Sequence, residues 1–250
     1  MPRAKTEPGS PAAATYRRLD PVALAATHQR LCDRIIARFP ERRLGRVAAE
    51  LGPVITSVVA ADWRRSERLV RAVCRIGIVV VAVAAALAIG LSIRDATQVA
   101  DDKPTFEWLP IVESGINDVA FAGIAVFFLL TIPSRLRRRQ LLKVLHRLRS
   151  LAHVVDMHQL TKDPERLLSA PPPTPKSAST GLDAVELGRY LDYCSELLSL
   201  VSKTAALCAD ESTDAVVLDT VSEIESLTLG MSRKIWQKIS LLHGAAVPPM

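Results

Sequence analysis

The residues best suited to chemistry in this sequence are five histidines, four cysteines and a few clustered carboxylates. Three of the histidines gather in HRLRSLAHVVDMHQLTKD as His146, His153 and His158, with Asp156 between the last two. On a helix, His146 and His153 share a face, and Asp156 lies one turn past His153. Imidazole and carboxylate so placed can hold a divalent cation, or titrate between pH 5 and 8. The spacing is not the HExxH pair of a zinc protease, and His158 points away from His153. A metal site, a pH-sensing or packing role for His146, His153 and Asp156, and ordinary helix polarity stay open. No residue is assigned as a metal ligand.

A second group is Glu113, Asn117 and Asp118, at the edge of an apolar run. Glu113 and Asn117 are four apart and share a helix face. Ionisable groups inside a bilayer are costly and usually functional. At an outer rim, several copies would form an acidic ring like those at cation-pore mouths. The cysteines, Cys32, Cys74, Cys194 and Cys208, include no CxxC pair and read as reduced structural thiols. There is no GxGxxG, no GxxxxGK, no GxSxG and no zinc spacing, and only 11 glycines. The expectation is a protein that is not an enzyme and carries no cofactor.

The elements that must position these groups are dominated by two apolar runs. Residues 76–93, IGIVVVAVAAALAIGLSI, carry no charge over about 27 Å of helix. Residues 119–132, VAFAGIAVFFLLTI, form a shorter run, which lengthens to a full span if it begins near 109. Arg64, Arg65, Arg68, Arg71 and Arg75 precede the first run, and Arg135, Arg137, Arg138, Arg139 and Lys143 follow the second. Between them, residues 94–118 hold two basic against six acidic residues. Positive flanks stay cytoplasmic. Both termini are therefore expected in the cytoplasm of a multi-pass cell-membrane protein, with a short acidic loop outside and Trp108 at the interface. No apolar segment in the first 70 residues reads as a cleaved signal, so the first span is expected to act as a signal-anchor. The net charge of +6 then reports topology, and nucleic acid is not an expected partner.

The remaining chain reads as helices. A tail at 1–19 precedes Asp20-Pro21, an N-cap with proline at the first helical position, and that helix is expected to end at Pro40. Leu24, Leu31, Ile35 and Ile36 form its apolar side. A second helix over 41–51 is expected to stop at Gly52-Pro53, and a third to run from there into the membrane. Pro133 is expected to break the chain before a juxtamembrane helix at 135–160, whose seam is Leu141, Leu145, Leu148, Ala152 and Val155. A proline-rich linker at 161–181 leads to an antiparallel hairpin at 182–243. Its first seam is Leu187, Leu191, Cys194, Leu198, Val201, Ala205 and Cys208. Its second is Val217, Val221, Ile224, Thr228, Met231 and Ile235. Both follow the alternating four-and-three spacing of a coiled coil. A tail at 244–250 completes the chain. The predicted class is all-α: a two-span membrane protein with a cytosolic helical hairpin or bundle.

Charge is segregated within these helices. Residues 182–226 hold ten acidic and two basic residues, whereas 135–149 hold seven basic and none acidic. The two are expected to attract each other, within a chain or between subunits. The basic stretch can equally contact anionic head groups. In the first span, Ala82, Ala86 and Gly90 leave a small-residue stripe that allows close helix approach. Near the end, SRKIWQKISLL is a basic amphipathic stretch centred on Trp236.

The stretches LRSLAHVVDMHQLTKDPERL, LGRYLDYCSELLSLVSKTAAL and GMSRKIWQKISLL resemble parts of uncharacterised bacterial membrane proteins. The overall layout resembles SLATT-type two-helix membrane modules, a likeness that implies a pore-forming effector. Arginine outnumbers lysine 24 to 8, which suits a GC-rich bacterial genome. The function expected first is non-enzymatic: membrane anchoring, with the cytosolic helices binding one another in a homo-oligomer or binding a cytosolic protein. An oligomeric channel or pore is the second reading. A membrane-anchored metal or pH sensor is the third.

Overall fold

The computed structural model describes the backbone at 19–60, 63–99, 108–164 and 181–245, and side chains at 19–60, 68–94, 112–164 and 181–243. Residues 1–18 of the expected tail at 1–19, residues 165–180 of the expected linker at 161–181, residues 246–250 of the expected end tail and the Trp108 side chain lie outside these residues. Among the described residues there are six helices and no strand. They are α1 (Pro21–Arg38), α2 (Leu44–Ala60), α3 (Trp63–Val99), α4 (Trp108–Leu160), α5 (Ala184–Asp210) and α6 (Ala215–Ala245). The chain divides into two compact units, one of residues 1–60 with 144–250, the other of residues 61–143.

The first unit is a helical bundle with a closed core. Every residue of the three seams read from the sequence is buried there or at the unit boundary, from Leu141 through Ile235. Thr228 fits an apolar seam because its hydroxyl donates back to the Ile224 carbonyl at 2.9 Å. Thr204, which no seam included, does the same to Leu200 at 2.7 Å. Asp20 caps α1, accepting from the amides of Val22 and Ala23 at 2.8 and 3.3 Å. Asp183 and Glu186 form a reciprocal capping box at the start of α5. Ile36 departs from the expected apolar side of α1 and is exposed.

The expected break at Gly52-Pro53 is absent, and α2 continues through Pro53 to Ala60. Pro53 has no amide proton, which leaves the Ala49 carbonyl one turn back without its helical donor. Next to it, His28 of α1 is 5% exposed, its Nε2 donating to the adjacent Ala48 carbonyl at 2.8 Å. Gly52 makes room for the ring, since a Cβ there would stand 3.1 Å from the imidazole Cε1. The three residues act together, and Val54 and Val58 consequently pack within α2. His28→Ala removes a buried hydrogen bond and leaves a void beside Gly52, and is expected to cost about 1–3 kcal/mol. Urea unfolding of the detergent-extracted protein, followed by circular dichroism, checks this.

The second unit is a hairpin of α3 with the first part of α4. Gly77 lets the helices approach closely, because a Cβ there would meet the Leu129 side chain at 3.3 Å. Covered positions recur at helical spacing on each helix: buried Cys74 and partly covered Gly77, Ile78, Val81 and Ala85 on α3, and partly covered Asp118, Ala122, Ala125, Val126 and Leu129 on α4. The outward faces are apolar and open, with Val79, Val83, Leu87 and Leu91 on α3 and Phe121, Ile124, Phe127 and Leu130 on α4. Pro133 does not break α4, which runs unbroken for 53 residues. Hydroxyls bond neighbouring carbonyls here: Thr131 donates to Phe128 at 3.0 Å and Ser134 to Thr131 at 2.9 Å. Neither bond reaches the Leu129 carbonyl, the group that Pro133 leaves without a helical donor. Ser92 is satisfied in the same way on Ala88.

Candidate functional site

Two helices are long and apolar enough to cross a membrane: Arg68–Arg94 within α3, with mean hydropathy 2.8, and Val112–Leu160 within α4, with 1.9. Neither apolar window is covered by protein. Large side chains left in water at this density forfeit roughly 1.5–3 kcal/mol each relative to burial. The patch also exceeds what soluble monomers usually expose. Glu113 and Asn117 are both exposed on α4, while Asp118 is partly covered. Ala82, Ala86 and Gly90 lie on the open face of α3, and a Cβ on Gly90 would meet nothing within 4 Å. Their stripe is therefore not the surface that packs on α4, where Gly77 serves instead. Arg135, Arg138, Arg139 and Lys143 are exposed just past the apolar run, with Arg137 partly covered.

The histidine group does not assemble. His146 and His153 are exposed, on the side of α4 opposite its buried seam. Asp156 accepts from Gln159 Nε2 at 2.7 Å, a partner on its own helix. Among the described residues no three His, Cys, Asp or Glu side chains gather as a metal site. His158 is the histidine with the distinctive setting: burial lowers its pKa, and Arg43 and Lys162 lower it further.

The sequence reading missed the far end of α4. Lys238 of α6 donates to the carbonyls of Gln159 and Lys162 at 2.9 and 3.1 Å. A lysine at a helix C-terminus satisfies free carbonyls and complements the dipole there. Nearby, Phe39 packs edge-on against Tyr190 at 5.5 Å and Tyr193 at 6.1 Å. Lys162 stands 5.7 Å from the Tyr190 ring centre. Burial pushes the Tyr190 phenol above its ordinary range. Beneath, Cys194 is fully buried and its thiol is pushed up to about 12, as is that of Cys208. Protonated thiols of this kind are inert packing groups. All four cysteines are free and buried.

Beside this corner, α1 and α5 form an open groove of about 490 Å3 lined by Arg34, Ala37, Arg38, Arg189 and Tyr193. Arg34 is held in place by two bonds to Glu196, at 3.2 and 3.4 Å, and its guanidinium lies over the Tyr193 ring at 5.2 Å. On the other flank of the bundle, Arg149 pairs with Glu223 at 3.1 Å. That is one contact of the kind expected between the basic stretch and the acidic hairpin. No family model, no curated protein and no solved structure matches the chain. The class the structure defines is an all-helical protein with two helices able to span a membrane.

Proposed function

We propose that this is an integral membrane protein of two spans, without enzymatic activity, whose bundle serves as an oligomerisation or partner-binding module in the cytoplasm. The observation that carries the reading is the hairpin's open apolar surface, set beside a bundle that buries its own seams. The chain order supports the topology. The bundle combines residues 1–60 with residues 144–250, on both sides of the hairpin. A bundle assembled that way lies on one side of a bilayer, so the intervening chain must cross an even number of times. The arginines flanking both spans favour the cytoplasmic side.

Single-cysteine variants in a background lacking the four native cysteines test this. Cysteines introduced at exposed Val185 and Val216 are expected to react with an impermeant maleimide only after cells are opened. Labelling in intact cells would overturn the orientation. The same protein, extracted in mild detergent, is expected to sediment as more than one copy. A stable monomer would remove the oligomer and leave partner binding.

A pore is the second reading, favoured by Glu113 and Asn117 standing exposed on one face of α4 beside its apolar run. Subunit association would cover polar groups that lipid cannot satisfy. Under this reading, Glu113→Ala lowers cation conductance in planar bilayers. Silent bilayers with an assembled wild type would eliminate it.

A further inference from the structure

Three arginines, two from α1 and one from far along the chain, meet in the groove between α1 and α5. Arg34 and Arg38 lie one turn apart on α1, and Arg189 comes from the first turns of α5. Their commitments differ. Arg34 is fixed by Glu196 and the Tyr193 ring. Arg189 is paired more loosely, with Asp192 one turn along its own helix at 3.7 Å. Arg38 makes no ion pair among the described residues, and the Tyr193 hydroxyl has no hydrogen-bond partner there. The groove thus brings the Arg38 guanidinium and the loosely paired Arg189 guanidinium beside that of Arg34, which Glu196 and the Tyr193 ring engage. At about 490 Å3 it falls within the roughly 300–1,000 Å3 of small-molecule sites.

We propose that this groove binds a small polyanion of the diphosphate class, with Arg38 and Arg189 each gripping it through two N–H donors. The donor set selects the chemistry. A carboxylate is saturated by one or two forks, whereas a diphosphate presents oxygens in several directions and can accept from both arginines at once. The volume exceeds what a single phosphate fills. Glu196 tempers the site by neutralising Arg34, which leaves Arg34 to contribute through its position more than through net charge. All the groove's lining residues belong to the bundle, so the site does not rest on the membrane reading above.

Isothermal titration of the full-length protein in detergent, at low salt, with sodium pyrophosphate and with a nucleoside diphosphate, is the test. Saturable binding of both is expected, weakening as salt rises. Tighter binding of the nucleoside diphosphate assigns the ligand as a nucleotide, and equal binding assigns it as free diphosphate. Arg38→Ala and Arg189→Ala are each expected to weaken binding about tenfold, the worth of one charge-assisted contact. Arg38→Lys restores only part of the loss because lysine lacks the fork. Glu196→Gln frees Arg34 and is expected to tighten binding. Its opposite sign separates a site from general surface charge. No saturable binding up to about 10 mM, where affinity is too weak for a built site, would overturn the proposal. Unchanged titrations in both alanine variants would do the same.

Discussion

Arginine introduced at both Val83 and Phe127 will remove the protein from the membrane fraction. Both positions lie on the open faces of the apolar helices, 51% and 60% exposed. Two physical settings give opposite answers. On a water-facing surface, replacing an exposed apolar residue with arginine changes stability by about 0.5 kcal/mol or less. Near the middle of a bilayer, each arginine costs about 2.5–3.5 kcal/mol of insertion, and the lost valine or phenylalanine adds about 0.5 kcal/mol. The pair therefore costs roughly 6–8 kcal/mol, at least four orders of magnitude in the insertion equilibrium. Carbonate washing of cell membranes measures it. The wild type is expected to stay in the pellet, either single variant to be partly lost, and the double variant to disappear from it. Leu218→Arg, on an exposed side of α6, serves as the control and should change nothing. A double variant as firmly retained as the wild type would end the membrane reading, and with it the topology argument.

The features that make this prediction possible were legible in the sequence for a simple reason. An 18-residue uncharged run and the arginines around it report a global property, solvent preference, which needs no knowledge of what packs where. The seams of α4, α5 and α6 were legible on similar grounds. Leu187, Leu191, Cys194 and Leu198 repeat at helical spacing, and all are fully buried. Periodicity identifies a face but not the partner that covers it. Ile36 shows the limit, since it neighbours the buried Ile35 yet is exposed. The prolines show another. Pro53 and Pro133 are breakers by local rule, yet both sit inside helices, with His28 bonding the backbone near the first and hydroxyls bonding it near the second. His28 is 20 residues from Ala48, so no local pattern could reveal that pairing.

The candidate sites divide along the same line. His146, His153 and Asp156 attracted attention because they are close in sequence, but the two histidines face outward and Asp156 is engaged by Gln159. The arginine groove escaped notice because Arg34 and Arg189 are more than 150 residues apart and neither belongs to a motif. Lys238 at the end of α4 was hidden for the same reason: sequence showed a basic amphipathic stretch, and its position decided which lysine of that stretch is structural. Trp236 in the same stretch remains exposed on α6.

Truncation of the bundle core should produce the other large effect, and in the other unit. Leu191 is completely buried in the α5 seam. Leu191→Ala removes three carbons' worth of burial and leaves a cavity that a close-packed interior closes only in part. The expected cost is about 2–5 kcal/mol, a large share of the roughly 5–15 kcal/mol that holds a typical domain together. Val185→Ala, one to two turns earlier on the same helix and 76% exposed, should cost nearly nothing. Thermal unfolding in detergent, followed by circular dichroism, distinguishes them, with Leu191→Ala melting well below the wild type. Carbonate washing of the same variant gives the sharper result. Retention in the membrane depends on the outward faces of α3 and α4, and no part of the α5 seam contributes to those. Leu191→Ala should therefore stay in the pellet while its bundle melts early, and the double-arginine variant should leave the pellet. If loss of the bundle also released the protein from the membrane, the hairpin could not be an anchor in its own right, and the open apolar faces would need a protein partner to cover them.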